Sequence, residues 1–348
     1  MKVLVATYVK QLVFEERPMP EPGPGEALVE TRAVALCGSD VHLYEGTHPY
    51  RTYPNVFGHE ASGWVTGVGE GVTNVRPGDH VVVEPAVYCG ECYPCSIGRT
   101  NCCSRMKTIG VTVPGALAEY FVVPARALHK APADLSPRAA SLCEPCAVGL
   151  HTSRRGGVEA GELVVVIGAG PIGLMALAGA KKRGALVAIT DLIDKRLEIA
   201  RQMGADLSIN SGKTDPVDAV RDWTKGIMAP VVIEAVGAPR TIESAIQLVS
   251  DAGRVVIAGV TEQFASIRGV DVTKKELTIY GSRNSLGLFR DAIKFVASNP
   301  DLFTAMITRE YPFAQSIEAF EVALTQPQEV CKVLINFPLA KTGDYRGA

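Results

Sequence analysis

The chain has 348 residues, a net charge of −2, 47% hydrophobic residues and 21% charged residues. This length supports two domains with their own cores, and the near-neutral charge argues against a nucleic-acid partner or a polybasic membrane-binding face. Nine cysteines are an odd number, and the apolar residues 3–9 run into Lys10 and an acidic stretch without a signal-peptide cleavage site. We therefore expect a cytoplasmic protein, in which grouped cysteines indicate a metal more often than disulfides.

The first third of the chain contains short β-type runs separated by turn-forming residues. We predict strands there, at residues 3–9, 27–35, 63–68, 80–83 and 119–123. Short strands at close spacing are typical of an antiparallel β domain, which we expect to be partly closed.

From residue 161 the pattern changes to alternating strands and helices. We predict strands at residues 163–167, 186–190, 207–209, 231–234 and 254–257, and helices at residues 171–183, 195–203, 216–224 and 239–250. This alternation predicts βαβ units around a parallel sheet. Residues 163–180 carry no charge, but glycines and a proline interrupt them, so we interpret the run as a strand, a turn and a helix, not as a membrane span.

The remainder of the chain returns to mixed elements. We predict helices near residues 288–298 and 316–324 and a strand at residues 332–337. We expect this tail to fold back onto the first domain.

Residues 168–173 have the sequence G-x-G-x-x-G between a predicted strand and a predicted helix. The first glycine makes the turn, the second lets the backbone approach a pyrophosphate, and the third allows the helix to pack on the strand. The N-terminus of the helix adds N–H groups and a positive dipole. The motif predicts a dinucleotide site formed by Gly168, Gly170, Pro171, Ile172 and Gly173.

Asp191 ends the second strand of this region, about 20 residues after the glycine motif. An acid there accepts hydrogen bonds from both ribose hydroxyls and repels a 2′-phosphate, which favours NAD over NADP. Lys195 and Arg196 follow closely and weaken the preference, and we place Arg196 among the cofactor-binding residues. The alternative for Asp191 is the N-cap of the next helix.

Four cysteines, Cys89, Cys92, Cys95 and Cys103, are spaced C-x2-C-x2-C-x7-C. Four thiolates at about 2.3 Å from one ion are the preferred surroundings of structural zinc. Turn-forming residues flank the cysteines, so we predict a loop, not a helix or a strand. The alternative is a set of disulfides or buried free thiols.

A second group of possible metal ligands lies earlier in the chain, where Cys37, His59 and Glu60 supply a thiolate, an imidazole and a carboxylate within 24 residues. Such residues singly are more often core residues than ligands, but their grouping favours a metal site. Glu144 places a further carboxylate just before a helix-like segment, where it could also cap the helix.

The segment G-H-E-x2-G-x5-G-x2-V runs intact from Gly58 to Val72, after C-x-S-x-x-H at residues 37–42. With the cysteine group and the glycine turn, in this order, it resembles the zinc-containing medium-chain alcohol dehydrogenases over nearly the whole chain. The resemblance implies an α/β fold with two domains. One is a GroES-like, partly closed β-barrel catalytic domain, residues 1–146 and 283–348. The other is a doubly wound Rossmann domain that binds NAD, residues 147–282.

The resemblance also implies two zinc ions per chain. Cys37, His59 and Glu144 would face the catalytic zinc, with Glu60 as a direct or water-linked ligand. The four grouped cysteines would hold the structural zinc, and Ser39 and His42 would relay the proton of the reaction. The other cysteines, Cys102, Cys143, Cys146 and Cys331, fall outside the pattern and are interpreted as packing residues.

Within the family, the chain resembles the sorbitol dehydrogenase and polyol branch through Glu144, Pro145, residues 154–158 and Asp191. Residues 98–103 and 281–284 resemble bacterial dehydrogenases that oxidise C5 of hexonates. The implied partners are a small polyol or sugar-acid substrate and, as is typical of the branch, three further copies in a homotetramer.

Sorbitol-type enzymes contact the substrate with an Arg-Tyr pair, and this chain has Arg283 and Asn284 there. A guanidinium suits a hydroxyl or, better, a carboxylate. Tyr44, His48 and Arg51 either line the substrate pocket or are ordinary loop residues.

Three alternatives differ from a polyol or hexonate dehydrogenase. The near-neutral charge and the nucleotide turn oppose a non-catalytic zinc-binding module. The complete ligand set opposes a zinc-free, NADPH-dependent reductase on the same fold. An enzyme like L-threonine 3-dehydrogenase, acting on an amino alcohol with zinc and NAD, stays open.

Overall fold

The computed structural model describes residues 1–338, so the end of the predicted catalytic domain, residues 339–348, lies outside the described residues. The chain forms two compact units, one containing Met1–Glu144 with the chain from Phe289 onward and the other containing Pro145–Leu288. The predicted boundaries differ slightly: the chain leaves the first unit after residue 144 instead of 146, and it returns at residue 289 instead of 283.

The N-terminal part of the first unit is mainly β structure. Its strands are β1 (Lys2–Tyr8), β2 (Gln11–Glu16), β3 (Glu26–Leu36), β4 (Glu60–Val68), β5 (His80–Val83), β6 (Ala86–Val87), β7 (Lys107–Thr108), β8 (Tyr120–Pro124) and β9 (Leu128–Lys130). Its helices are α1 (Gly38–Glu45), α2 (Tyr93–Ser96) and α3 (Pro137–Ala140).

The second unit alternates between strands and helices, and α4 (Cys143–Arg155) leads into it. Its strands are β10 (Leu163–Ile167), β11 (Leu186–Asp191), β12 (Leu207–Asn210), β13 (Ala229–Glu234), β14 (Val249–Ile257) and β15 (Thr278–Gly281). Its other helices are α5 (Pro171–Lys182), α6 (Asp194–Gln202), α7 (Pro216–Trp223), α8 (Pro239–Leu248) and α9 (Gly269–Lys274).

The chain completes the first unit with three helices and two strands among the residues up to 338. The helices are α10 (Phe289–Ser298), α11 (Pro300–Thr304) and α12 (Ser316–Thr325), and the strands are β16 (Ile307–Pro312) and β17 (Lys332–Asn336).

Strand β3 is the centre of the first unit. It pairs with β4 along most of its length, with β8 near its start and with β17 near its end. Within residues 1–338 the main sheet has the order β16-β17-β3-β4-β5-β9, antiparallel except for the β16–β17 pair. Strands β8 and β17 therefore share one edge of β3, and β4 occupies the other. This arrangement confirms the partly closed β-barrel.

The second unit contains a parallel sheet with the order β12-β11-β10-β13-β14-β15 across the described residues. In chain order this is 3-2-1-4-5-6, the order of the dinucleotide-binding fold. The strand order reverses between β10 and β13, and the glycine motif follows β10 directly. The Rossmann prediction is therefore confirmed, and the motif lies at the point where such sheets bind ligands.

Glycine is required at two positions of the turn after β10. Gly168 has φ of +98°, a conformation that side chains rarely adopt. A Cβ atom at Gly173 would lie 1.8 Å from the Gly168 carbonyl oxygen. The close helix–strand packing expected of the third glycine is therefore present.

The uncharged run at residues 163–180 forms β10 and most of α5, as predicted. Among residues 1–338, no helix is both long and apolar enough to cross a membrane.

Some elements differ from the predictions. Helix α1 was not predicted, because its charged and polar residues give no apolar stripe of helical period. The cysteine segment, predicted as a loop, contains the single helical turn α2, whose second residue, Pro94, is compatible with a helix start. Short strands such as β6 and β7 have only two residues each and therefore carry no periodic signal.

An aromatic cluster packs under α12 in the first unit. Phe320 is fully buried, and its ring centroid lies 5.4 Å from that of Tyr44 and 6.2 Å from that of Phe57. The cluster joins α12 to α1 and to the segment before β4.

Replacing Phe320 with alanine should lower the free energy of unfolding by about 3–5 kcal/mol, because the buried ring leaves a cavity. Urea unfolding followed by circular dichroism measures this change. Ile317→Ala on the same helix is the control, since Ile317 is 37% exposed, and it should cost about 1 kcal/mol or less. Equal losses in the two variants would contradict a central role for Phe320.

Candidate functional site

Cys37, His59 and Glu60 come together at one end of the β3–β4 pair. Cys37 follows the last residue of β3, and Glu60 is the first residue of β4. Because Ala35 pairs with Glu60 across the two antiparallel strands, the residues at this end are neighbours. One donor atom from each of Cys37, His59 and Glu60 lies within 4.8 Å of the others. The donor set of thiolate, imidazole and carboxylate suits zinc.

Asp40 organises this cluster, and the sequence analysis did not identify it. Its side chain is fully buried, accepts hydrogen bonds from the N–H groups of Cys37 (2.9 Å) and Gly58 (3.2 Å), and lies 3.4 Å from Nδ1 of His59. Burial alone lowers the pKa of His59, but the nearby charge of Asp40, followed by Cys37, raises it well above its usual value. The sequence did contain one signal for this role of Asp40. An acidic residue three positions after Cys37 is the spacing of a capping box at a helix start.

Lys332 is a second residue that the sequence analysis did not place at the site. Its Nζ lies 2.9 and 2.8 Å from the two carboxylate oxygens of Glu60 and donates to the Leu36 carbonyl oxygen at 3.2 Å. Burial opposes its charge, but Glu60 and then Cys37 raise its pKa above the usual value. Glu60 is therefore held in a buried ion pair with Lys332, and its direct contact with zinc stays a prediction.

The structure does not bring Glu144 into the 4.8 Å cluster. Glu144 lies in the first turn of α4. Its pKa is raised to about 7, chiefly by burial and further by the charges of Glu60 and Asp40, while His59 and Lys332 oppose the shift. Glu144 is therefore subject to the charges of the same polar group, and its role as a zinc ligand stays a prediction.

Ser39 and His42 both lie on α1, three residues apart, which places them on one side of the helix. Ser39 is half-buried, whereas His42 is exposed and its Nδ1 lies 3.1 Å from Oγ1 of Thr47. No hydrogen bond joins Ser39 to His42 within the part of the chain that the structure describes, so a relay between them needs an intervening group.

The structure assigns different positions to the three residues that were considered for a pocket, since Tyr44 lies in α1 while His48 and Arg51 follow it. Tyr44 is buried, and its hydroxyl donates to Glu321, so it is a packing residue. Nη1 of Arg51 donates to the His48 carbonyl oxygen at 3.2 Å, and Nδ1 of His48 accepts the Tyr50 N–H at 3.2 Å. These contacts hold the loop in shape.

The four cysteines of the later segment converge on one point. The Sγ atom of Cys92 lies 3.4 Å from Sγ of Cys95 and 3.7 Å from Sγ of Cys103. The Sγ atom of Cys103 lies 3.5 Å from Sγ of Cys89. A tetrahedron with metal–sulfur bonds of about 2.3 Å has edges of about 3.8 Å, whereas a disulfide has about 2.05 Å. All nine cysteines of the chain are free thiols. The geometry therefore fits a four-sulfur metal site and not disulfides.

Backbone N–H groups in the cysteine segment stabilise the thiolate form of Cys92. Hydrogen bonds from the N–H groups of Cys95 and then Ser104 lower the pKa of Cys92 to about 5. Burial and the neighbouring Cys92 raise the pKa of Cys95 to about 12. Four adjacent thiolates repel one another, so full ionisation needs a cation among them.

Asp191 is tied to the glycine turn. Its two carboxylate oxygens accept hydrogen bonds from the N–H groups of Ala169 (2.7 Å) and Ile193 (2.9 Å). The alternative of a helix N-cap is not observed, because the residue that caps α6 is Ile193. Arg196 lies in the first turn of α6, half-buried.

Arg283 and Asn284 follow β15 in the second unit, not in the catalytic unit where they were predicted. Arg283 is exposed. Asn284 has φ of +49°, in the left-handed region that asparagine adopts more readily than tyrosine. The backbone therefore explains an asparagine at this position.

Replacing Cys92 with serine should reduce bound zinc from about two to about one ion per chain, because one thiolate of the four-sulfur site is lost. Elemental analysis of the purified protein measures this, and the thermal midpoint should fall with it. Cys102→Ser is the matched control, since Cys102 lies outside the four-sulfur group, and it should keep its zinc. A full zinc content in Cys92→Ser would contradict the assignment.

Two family models match the chain. The model described as alcohol dehydrogenase GroES-like domain matches residues 23–133, and the model described as zinc-binding dehydrogenase matches residues 171–298. Together they cover more than half of the chain. The first match lies within the first unit, and the second lies mostly in the second unit and extends ten residues beyond it.

Similar proteins span nearly the whole chain. L-galactonate-5-dehydrogenase of Escherichia coli is 36% identical and covers 97% of this chain and 99% of its own length. L-threonine 3-dehydrogenase of Bacillus subtilis is 38% identical and covers 89% of this chain and 91% of its own.

Solved structures of dehydrogenases are also similar to this chain over nearly its whole length. The RspB alcohol dehydrogenase of Escherichia coli, solved in complex with NADH, has a TM-score of 0.90 and 35% identity and covers 97% of this chain and 99% of its own. The chain therefore belongs to the zinc-binding medium-chain alcohol dehydrogenases, and it is a dehydrogenase that uses zinc and a nicotinamide dinucleotide.

Proposed function

We propose that this dehydrogenase oxidises a secondary hydroxyl group of a polyol or sugar acid, of the kind at C5 of a hexonate, and transfers the hydride to NAD+. The products are a ketone, NADH and a proton. The observation that carries the proposal is the 36% identity to L-galactonate-5-dehydrogenase over 97% of this chain. The exposed cation Arg283 supports a substrate with a carboxylate.

In this proposal, Cys37 and His59 hold the catalytic zinc, together with Glu144 and with Glu60 as a direct or water-linked ligand. Cys89, Cys92, Cys95 and Cys103 hold the structural zinc. The catalytic zinc supplies a Lewis acid that lowers the pKa of the substrate hydroxyl. Asp40 faces Nδ1 of His59 at 3.4 Å, which leaves Nε2 as the nitrogen for the metal.

Ser39 and His42 carry the proton in this proposal. The Ser39 hydroxyl accepts the proton of the substrate hydroxyl and passes its own onward. His42 is exposed, so it can release the proton to water. Since no direct hydrogen bond joins the two side chains in the described residues, the ribose of the cofactor is the group proposed to connect them.

Asp191 selects NAD in this proposal. A carboxylate has about four lone-pair directions, and each Asp191 oxygen accepts one backbone N–H. About two directions stay available for the two ribose hydroxyls, while a 2′-phosphate would meet a like charge. Arg196, in the first turn of α6, is proposed to lie near the same part of the cofactor.

A second candidate function is the oxidation of an amino alcohol. The 38% identity to the L-threonine 3-dehydrogenase of Bacillus subtilis favours it. Both candidates use the same metal and nucleotide residues, so only the substrate contacts separate them. A carboxylate-bearing substrate is common to a hexonate and to threonine, and Arg283 suits both.

The proposal also includes a cytoplasmic location and a homotetramer. Nine free thiols suit a reducing compartment. The homotetramer is proposed from the resemblance to the polyol branch.

Zinc-replete protein should reduce NAD+ with a hexonate as substrate, as measured by absorbance at 340 nm. The panel contains L-galactonate, L-gulonate and L-idonate, the matching hexitols, and L-threonine, each with and without a chelator. In Arg283→Gln, the KM for the hexonate should rise about tenfold or more, while that for a neutral hexitol changes less. Activity on L-threonine alone would replace the proposal with the second candidate.

Ser39→Ala should lower kcat by about a hundredfold, because the proton acceptor of the substrate hydroxyl is lost. Zinc content and thermal midpoint should not change, since Ser39 is not proposed as a ligand. Ser298→Ala, at the exposed end of α10, is the control and should keep full activity. An unchanged kcat in Ser39→Ala, or loss of zinc, would remove Ser39 from the proton pathway.

A further inference from the structure

The first unit contains a pocket that none of the proposed site residues lines. Its volume is about 620 Å³, and four of its lining residues are cations: Arg126, Lys130, Arg290 and Lys294. The volume suits a small molecule. The pocket lies at β9, an edge strand of the main sheet, and at α10.

The pocket has an apolar floor and a basic rim. Leu128 and Ile293 are buried beneath it, while the four cationic side chains are exposed. His129, also in the lining, stacks on Phe289 with ring centroids 5.0 Å apart. Among the described residues that line the pocket, none is an aspartate or a glutamate. A rim of this kind favours an anion whose charge stays at the opening.

Acidic residues outside the lining neutralise only part of this charge. Nζ of Lys130 lies 2.7 Å from a carboxylate oxygen of Asp79, and Nε2 of His129 lies 2.7 Å from Glu84. Arg126 donates to the Tyr88 carbonyl oxygen at 2.9 Å and lies over the Tyr88 ring, and within residues 1–338 no carboxylate forms an ion pair with it. These contacts hold one side of the pocket in place.

The cations on α10 have no such partners. Within residues 1–338, Arg290 and Lys294 form no ion pair and no side-chain hydrogen bond, and they lie one helical turn apart on one face. Two like charges at this spacing destabilise a helix, and a cation in the first turn opposes the helix dipole. Asp291 lies in the same turn but does not line the pocket. An anion bound between α10 and β9 would offset both costs.

We propose that this pocket binds the phosphate group of a small phosphorylated molecule. Arg290 and Lys294 from α10 and Arg126 and Lys130 from the β9 side would donate to the phosphate oxygens, and guanidinium groups suit phosphate geometry. The remaining carbon skeleton would lie over Leu128 and Ile293. The site is separate from the proposed zinc and nucleotide sites, so it does not depend on the proposed substrate.

The test is isothermal titration calorimetry at low ionic strength, on protein that carries zinc and is saturated with NAD+, so that the nucleotide site is filled. The probes are glycerol 3-phosphate, inorganic phosphate and glycerol. We expect saturable binding of glycerol 3-phosphate with one site per chain, no binding of glycerol, and weaker binding in higher salt. Equal affinity for inorganic phosphate would show that the phosphate group alone is recognised.

Arg290→Gln/Lys294→Gln should weaken glycerol 3-phosphate binding about tenfold or more, because two charged donors are lost. Both residues are exposed, so the variant should fold and keep its dehydrogenase activity. Lys2→Gln/Lys274→Gln is the matched control, since it removes two exposed lysine charges outside the pocket, and its affinity should not change. The proposal is overturned if neither phosphate probe binds saturably, or if both double variants bind equally well.

Discussion

A buried ion pair between Lys332 and Glu60 ties together three strands of the first unit, β17, β4 and, through Leu36, β3. The two side chains are 1% and 0% exposed, so both charges lie away from water. Removing an ion from water costs several kcal/mol, and that cost is offset only where the geometry is good and the other hydrogen bonds are made. Here Lys332 reaches both oxygens of Glu60 and the carbonyl oxygen of Leu36. The pair therefore holds β4 and β17 in register with β3 between them.

The position of the metal-binding side chains follows from this pair. Leu36 ends β3, and Cys37 comes directly after it, so a bond from Lys332 to Leu36 also positions Cys37. Asp40 then links Cys37 to Gly58 and His59 through the first turn of α1. Because His59 and Glu60 are consecutive, one ion pair and one buried carboxylate fix the whole cluster. The position of the metal-binding group therefore depends on Lys332 and Asp40, which are not themselves members of it.

Much of the fold could be predicted from the sequence, because its signals are local. The glycine motif at residues 168–173 and the apolar runs around it specify the Rossmann unit, and α5 begins at Pro171 as expected. The cysteine group is also local, with its four residues within 15 positions. Sequence spacing alone was enough to indicate that the sulfur atoms of such a group converge.

The features that could not be predicted from the sequence depend mainly on contacts between residues that are distant in the chain. Lys332 is 272 residues from Glu60, and a lysine in an apolar strand carries no local sign of a buried partner. Asp40 lies close in sequence, but its role appears only once Gly58 and His59 are brought to it by strand pairing. The unit boundary at residue 288 was missed by a few positions, because loop residues such as Asn284 have conformational preferences but no periodicity.

The distance between Lys332 and Glu60 also orders events during synthesis of the chain. The cysteine group can close on a zinc ion once residues 89–103 have left the ribosome, long before the nucleotide unit is complete. Glu60 and Cys37 must wait for Lys332, which is made 272 residues after Glu60. Until then, Glu60 has no countercharge and β3 lacks β17 on one side. The proposed catalytic metal site therefore matures only after Lys332 has been made, 272 residues after Glu60, while the structural one can form early.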